Sequence, residues 1–243
     1  MRLIAWNCAG AFHRKIDALM ALRPDVAVVS ECAEPEVLAA KCELPAFSAA
    51  PIWTGKNPNK GLAVLFFNDV QARLHSRFHG DLPWIAPIEI TAPRRINLLA
   101  VWAQNASAGN LRKANPGPLR RGVEFYRRFL TEDDAVIAGD FNNNIFWDKP
   151  GWAMNHQDTV DRLGDHGLVS AYHAATGEAQ GEETVPTHYW RDRKKDGPTY
   201  HIDYIFMPER WVDGTYQMRV EAFEPWTGKG LSDHVPLVLD VAL

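Results

Sequence analysis

Carboxylates, carboxamides and one imidazole recur at the ends of apolar, β-rich runs in this chain. Asn7 closes Ala5-Trp6-Asn7, and Glu31 follows Val26-Ala27-Val28-Val29-Ser30. Asp140 and Asn142 stand in Gly139-Asp140-Phe141-Asn142, after Ala135-Val136-Ile137-Ala138. Asp203 lies inside His201-Ile202-Asp203-Tyr204-Ile205-Phe206, and Ser232-Asp233-His234 leads into Val235-Pro236-Leu237. Hard carboxylate and amide oxygens suit Mg²⁺ or Mn²⁺ better than a softer metal. An acidic residue near an imidazole holds its tautomer and stabilises its cation. Metal, carboxylate base and cationic imidazole together meet the needs of in-line phosphoryl displacement.

Taken singly, most of these residues also have ordinary readings. Asn7 could be a turn amide, Glu31 a cap or surface residue, Asp140 and Asn142 an Asx turn, and Asp233-His234 a loop dipeptide. Asp203 is the exception, because a carboxylate within an apolar strand needs a partner. Their joint placement favours the chemical reading.

The elements that must position them are mostly strands. Short apolar runs predict strands over 2–7, 26–30, 62–68, 71–78, 84–91, 96–102, 135–138, 200–206 and 236–241. Asn68-Asp69 suggests a turn that folds 62–78 into a hairpin. Helices are expected over 13–22, where Ile16, Leu19 and Met20 share a face ahead of Pro24, and over 122–130, 158–163 and 34–40. No Pro-, Gly- or Ser-rich linker divides the chain, so one α/β domain over 1–243 is expected, with mixed sheets packed face to face and helices outside. The segments 105–118, 143–157 and 177–199 exceed ordinary connectors, and loops of that length are often functional.

The 243 residues, 46% apolar and 23% charged, describe an ordinary globular composition with room for an extensive core. No run approaches the roughly 18 apolar residues of a membrane helix. The opening stretch reads as a strand rather than a secretory signal, and Cys8, Cys32 and Cys42 suggest neither a disulfide framework nor zinc, so a cytoplasmic protein is expected. A net charge of −4 does not mark a general nucleic-acid binder. Basic residues nevertheless gather at Arg112, Lys113, Arg120, Arg121, Arg127 and Arg128, and again at Arg191, Arg193, Lys194 and Lys195.

The ordered motifs from Ala5-Trp6-Asn7 to Ser232-Asp233-His234 resemble the endonuclease/exonuclease/phosphatase superfamily, which includes DNase-I-like nucleases, exonuclease-III-type apurinic endonucleases, inositol phosphatases and sphingomyelinases. Thr187-His188-Tyr189-Trp190 is loosely like the exonuclease-III branch. The resemblance implies a four-layer α/β/β/α sandwich with its cleft at one end of the two sheets. It makes Glu31 the principal metal ligand, with Asn7 beside it and Asp233 as a second metal-proximal carboxylate. Asp140 matches the aspartate that activates or positions water, and Asn142 the amide that orients phosphate or nucleophile. His234 matches the imidazole contacting a phosphoryl oxygen, and Asp203 the aspartate supporting it.

One departure stands out. After the strand at 96–102 the family usually carries a histidine or tyrosine that binds the scissile phosphate, and this chain has Trp102 there. An indole N–H can donate but cannot act as an acid. Gln104 or Asn105 could supply the missing contact, Asn105 being the better candidate. Arg191 and Trp190 are further candidate substrate contacts, and Trp147, Trp152 and Tyr189 could stack bases or plug loops onto the core.

The resemblance implies a Mg²⁺- or Mn²⁺-dependent phosphodiesterase acting on a phosphoester substrate, DNA or RNA among the candidates, with no membrane and no obligate protein partner. The alternatives are a phosphomonoesterase or phospholipase-like hydrolase of a small substrate and a non-catalytic binding protein that keeps the fold.

Overall fold

The computed structural model describes residues 1–104 and 109–242, without side-chain detail at 109–111. Its strands are β1 (Arg2–Asn7), β2 (Val26–Cys32), β3 (Ile52–Asn57), β4 (Lys60–Phe66), β5 (Gln71–Leu74), β6 (Ile85–Ala92), β7 (Ile96–Trp102), β8 (Ala135–Asp140), β9 (Leu168–Ser170), β10 (His188–Tyr189), β11 (Thr199–Tyr200), β12 (Asp203–Pro208), β13 (Tyr216–Val220) and β14 (Leu237–Val241). They form two mixed six-stranded sheets, ordered β13-β14-β1-β2-β4-β3 and β5-β6-β7-β8-β12-β9, and the small ribbon β10-β11.

Side chains alternate across each strand, and that period of two builds the layers. Leu3, Val28, Val64 and Leu239 of the first sheet pack against Ile88, Leu98, Val136 and Ile205 of the second. Their neighbours Ile4, Val29, Leu65 and Val238 face outward onto Ile16, Leu19 and Leu38, carried by the helices Ile16–Met20 and Pro35–Ala39. On the far side Leu99, Ile137 and Phe206 meet Leu119, Val123, Phe129 and Leu163, from the helices Gly117–Phe125, Phe129–Glu132 and His156–Asp165. Three apolar interfaces thus separate four layers, as the resemblance implied. Central strands are covered on both faces, so they read as unbroken apolar runs. No helix among the described residues is long and apolar enough to cross a membrane.

The expected hairpin over 62–78 does not form. β4 pairs with β2 and β3, while β5 pairs with β6, so the Asn68-Asp69 turn carries the chain from one sheet to the other. Leu62 to Phe66 is buried throughout and needs a neighbour on each side, whereas β5 is a short edge strand of alternating exposure. The segment 200–206 is also not one strand. It breaks at His201-Ile202, where the Thr187 hydroxyl takes the N–H groups of Ile202 and Asp203 at 3.0 and 3.1 Å.

One buried group has a consequence for stability. His156 is fully buried against Phe141 and Tyr204. Burial drives its pKa down to about 3, against the pull of Glu183. A histidine depressed in the folded state contributes stability above its unfolded pKa, and that stability fades as pH falls below about 6.5. At ~1.4 kcal/mol per pH unit the loss reaches about 2 kcal/mol by pH 5, a fall of roughly 4–8 °C in Tm. His156→Phe should flatten this acid limb in a Tm-versus-pH series.

Candidate active site

Asp140, Asp203 and His234 meet where the strand ends of both sheets converge. Gly139 makes Asp140's position possible. Its φ is +139°, and a Cβ there would stand 1.9 Å from the Val101 carbonyl oxygen, so only glycine fits. Asp140 then pairs in register with Trp102 on β7 and with Asp203 on β12.

Asp140 is buried and accepts three hydrogen bonds. They come from Asn7 Nδ2 (2.9 Å), the Asn142 backbone N–H (2.8 Å) and Asn142 Nδ2 (2.6 Å). Asn142 reaches back this way because its backbone is left-handed, with φ +48°. Asn7 is itself fixed, its Oδ1 accepting from Ala9 N–H at 3.0 Å and its carbonyl accepting from the Ser232 hydroxyl at 2.7 Å. Burial and the neighbouring Asp203 raise Asp140 to about 7, against the pull of His234 and Asn7.

His234 is held from several sides. Its Nδ1 lies 2.8 Å from Asp203 Oδ2, its backbone N–H donates to Ser232 Oγ at 3.0 Å, and its carbonyl accepts from the Trp6 indole at 3.1 Å. The His188 ring stacks on it at 4.4 Å. Burial opposes its charge, yet the charge and hydrogen bond of Asp203, with Asp140 and Asp233, raise its pKa to about 10. Burial and His234 lower His188 to about 4, so this ring is neutral and adds no repulsion at pH 7. Thr187 Oγ1 donates to Asp203 Oδ2 at 2.7 Å, whereas the buried Oδ1 has no partner among the described residues.

The proposed metal ligands flank this network. β2 bulges between Ser30 and Cys32, leaving Glu31 with φ +59° and its Oε2 3.0 Å from Lys60 Nζ. Asp233 Oδ2 lies 3.9 Å from both His188 Nε2 and Arg193. Burial works against the Asp233 charge, but His234, His188 and Arg193 hold its pKa below the ordinary carboxylate value. Among the described residues, the buried group with ligand atoms within 4.8 Å of one another is Asp140, Asp203 and His234, a set that could hold a metal ion. Glu31 and Asp233 stand outside that set.

The remaining expectations divide. Trp102 is buried edge-on against Trp84, at 6.2 Å and 76°, with Lys60 over its ring at 5.6 Å. Asn105 lies outside the described residues. Trp190 is partly exposed, with the Arg191 guanidinium 4.1 Å over its ring. Beside Asn142 and His188 opens a cleft of about 510 Å³ walled by Trp147, Trp152, Trp190 and Tyr200, with Arg112 and Lys149 at its edge. Most of the first basic segment is not at this cleft. Arg120 is tied to Glu124 and Asp158, and only the Arg112 end approaches the site. Lys194 and Lys195 likewise pair with Asp192 and Glu224.

Thr187, His188 and Lys60 are parts of the site that sequence reasoning did not assign. Thr187 and His188 fall in the quoted Thr187-His188-Tyr189-Trp190 motif, which was a signal for them. Lys60 had none.

No protein-family model matches the sequence, and no curated protein matches it. Solved structures do. The chain is similar over its whole length to a 3′-5′ exonuclease (NExo) from Neisseria meningitidis, with a TM-score of 0.71, 18% identity and 100% of that chain covered. An AP endonuclease from Leishmania major aligns over all of this chain and 88% of its own, with a TM-score of 0.71 and 15% identity. The endonuclease domain of TRAS1, a telomere-specific non-LTR retrotransposon, matches over 100% of this chain and 98% of its own, with a TM-score of 0.64 and 18% identity. With its two packed six-stranded sheets and outer helices, the chain shares the DNase-I-like fold of these structures.

Proposed function

We propose that the chain is a divalent-metal-dependent phosphodiesterase that cleaves a P–O bond of a nucleic acid or nucleotide-containing diester by in-line attack of water. The observation that carries this reading is the pairing of a buried carboxylate near pKa 7 with an imidazolium near pKa 10 in one hydrogen-bonded network. Asp140 accepts the proton of the attacking water. Asn7 and Asn142 hold its carboxylate still, and Asp203 with Thr187 fixes the orientation and charge of His234. The imidazolium then donates to a phosphoryl oxygen as negative charge develops there.

Glu31, Asn7 and Asp233 would hold Mg²⁺ or Mn²⁺. The donor set suits a hard cation, because the two carboxylates face an ammonium at 3.0 Å and a guanidinium at 3.9 Å, positive charge that a cation would replace. The Asp140, Asp203 and His234 group is the weaker ligand set, since Nδ1 already shares its proton with Asp203. A bound divalent ion would neutralise charge on a non-bridging or leaving oxygen.

The aromatic cleft favours a nucleotide over a small aliphatic ester, because base-aromatic stacking is worth about 1–3 kcal/mol per base. Its neighbour Asn142 joins it directly to Asp140. The reading is tested on abasic duplex, single-stranded DNA, RNA, cyclic nucleotides and sugar phosphates with Mg²⁺. Turnover of nucleic-acid substrates is expected, and turnover of sugar phosphates alone would replace the reading with the phosphomonoesterase one. Binding to single-stranded DNA should weaken with salt at a log–log slope of about −2 if Arg112, Lys149 and Arg191 meet phosphates. Trp190→Ala should raise Kd about tenfold, as loss of one stacking partner requires.

A further inference from the structure

Lys60 opens β4 beside the bulge that presents Glu31, and it is tied to the site twice. Its Nζ lies 3.0 Å from Glu31 Oε2 and 5.6 Å over the ring of Trp102, which pairs in register with Asp140. The Lys60 side chain is 49% exposed and Glu31 23%. An ion pair so open to water adds little stability, so stability alone does not account for the arrangement. The bulge and the left-handed Glu31 backbone also cost conformational energy, and such strain persists where the surroundings over-determine it. A site for phosphate needs cations, and buried Trp102 brings none, its indole offering one neutral donor.

We propose that Lys60 is a substrate-contacting residue that changes partners. Without metal its ammonium neutralises Glu31. Once Glu31 is engaged by a divalent ion, the flexible side chain, braced on the Trp102 face, carries its charge to a non-bridging oxygen of the scissile phosphate. A lysine suits this exchange, being a compact charge on a mobile stem. The inference rests on the phosphoesterase reading, and it deepens that reading by adding a third positive group beside the metal and His234.

Three measurements on Lys60→Ala, Lys60→Gln and Lys60→Arg test it. Mn²⁺ affinity is read from the EPR signal of the free ion. Inorganic phosphate binding to the Mn²⁺-loaded protein is read by calorimetry, and hydrolysis with bis(p-nitrophenyl) phosphate. Lys60→Ala and Lys60→Gln should bind Mn²⁺ at least as tightly as the parent, because Glu31 is released. They should bind phosphate about tenfold more weakly, and kcat/KM should fall by about 10², the usual cost of one transition-state donor. Lys60→Arg, which keeps the charge, should recover most of both losses. Unchanged phosphate affinity in Lys60→Ala overturns the proposal. So does Mn²⁺ affinity falling in step with activity, which would make Lys60 a positioning residue for Glu31. If the parent protein hydrolyses nothing, the phosphoesterase reading fails, and the phosphate titration still decides the contact.

Discussion

Replacing Asp140 with asparagine should lower kcat by about 10³–10⁴, towards the upper end of what a positioned general base supplies. The carboxylate is buried, held by Asn7 and Asn142, and raised to about 7 chiefly by burial and by Asp203. A base with pKa near the working pH combines a useful ionised fraction with real proton affinity. Asparagine matches the shape but cannot take a proton. It also removes one of two adjacent buried negative charges but sets its amide N–H against at least one of the donors from Asn7 and Asn142, so Tm should fall by a few degrees at most while activity collapses. Mn²⁺ affinity should stay close to the parent value. A variant retaining more than a tenth of parental kcat would remove Asp140 from the reaction.

His234→Ala is expected to cost about 10²–10³ in kcat, the range for loss of one oxyanion-stabilising donor. Its stability effect is also large. Asp203 would keep the Thr187 hydroxyl but lose its cation, and stranding a buried charge costs about 3–5 kcal/mol. The double variant His234→Ala with Asp203→Asn should regain the fold without regaining turnover, which separates the two effects. The pH profile gives the sign. Asp140 must be ionised, so kcat/KM of the parent rises as pH passes about 7, a limb that a nearby metal ion shifts to lower pH. His234 must be protonated, so activity falls as pH passes about 10. That alkaline limb should vanish in the His234 variant.

Much of this arrangement was legible in the sequence, for reasons visible in particular residues. β1 and β7 fall at their expected bounds, because each is an apolar run ended by a polar residue or a change of pattern. β3, β9 and β13 were not read. Ile52-Trp53-Thr54-Gly55 carries a glycine, β9 has three residues, and Tyr216–Val220 alternates at an edge without an apolar run. The Asn68-Asp69 turn misled, since turn chemistry shows that the chain reverses but not which sheet receives it.

The convergence of Asp140, Asn142, Asp203 and His234 could be expected from the sequence because carboxylates, amides and imidazoles are unusual against apolar strands. Thr187 could not be assigned, being a common residue 16 positions from its partner Asp203. Lys60 was hidden for a related reason. Its link to Glu31 depends on the β2–β4 register and on a one-residue bulge, neither of which leaves a mark in composition.

The most direct test of the proposed chemistry is hydrolysis of bis(p-nitrophenyl) phosphate by the parent protein and Asp140→Asn, with Mg²⁺ or Mn²⁺ and with EDTA. Metal-dependent hydrolysis should occur in the parent, stop with EDTA, return with excess metal, and be lost in the variant. Hydrolysis indifferent to EDTA, or no metal-dependent turnover of this or any other phosphoester, would contradict a metal-assisted phosphoesterase and leave a binding protein built on the same fold.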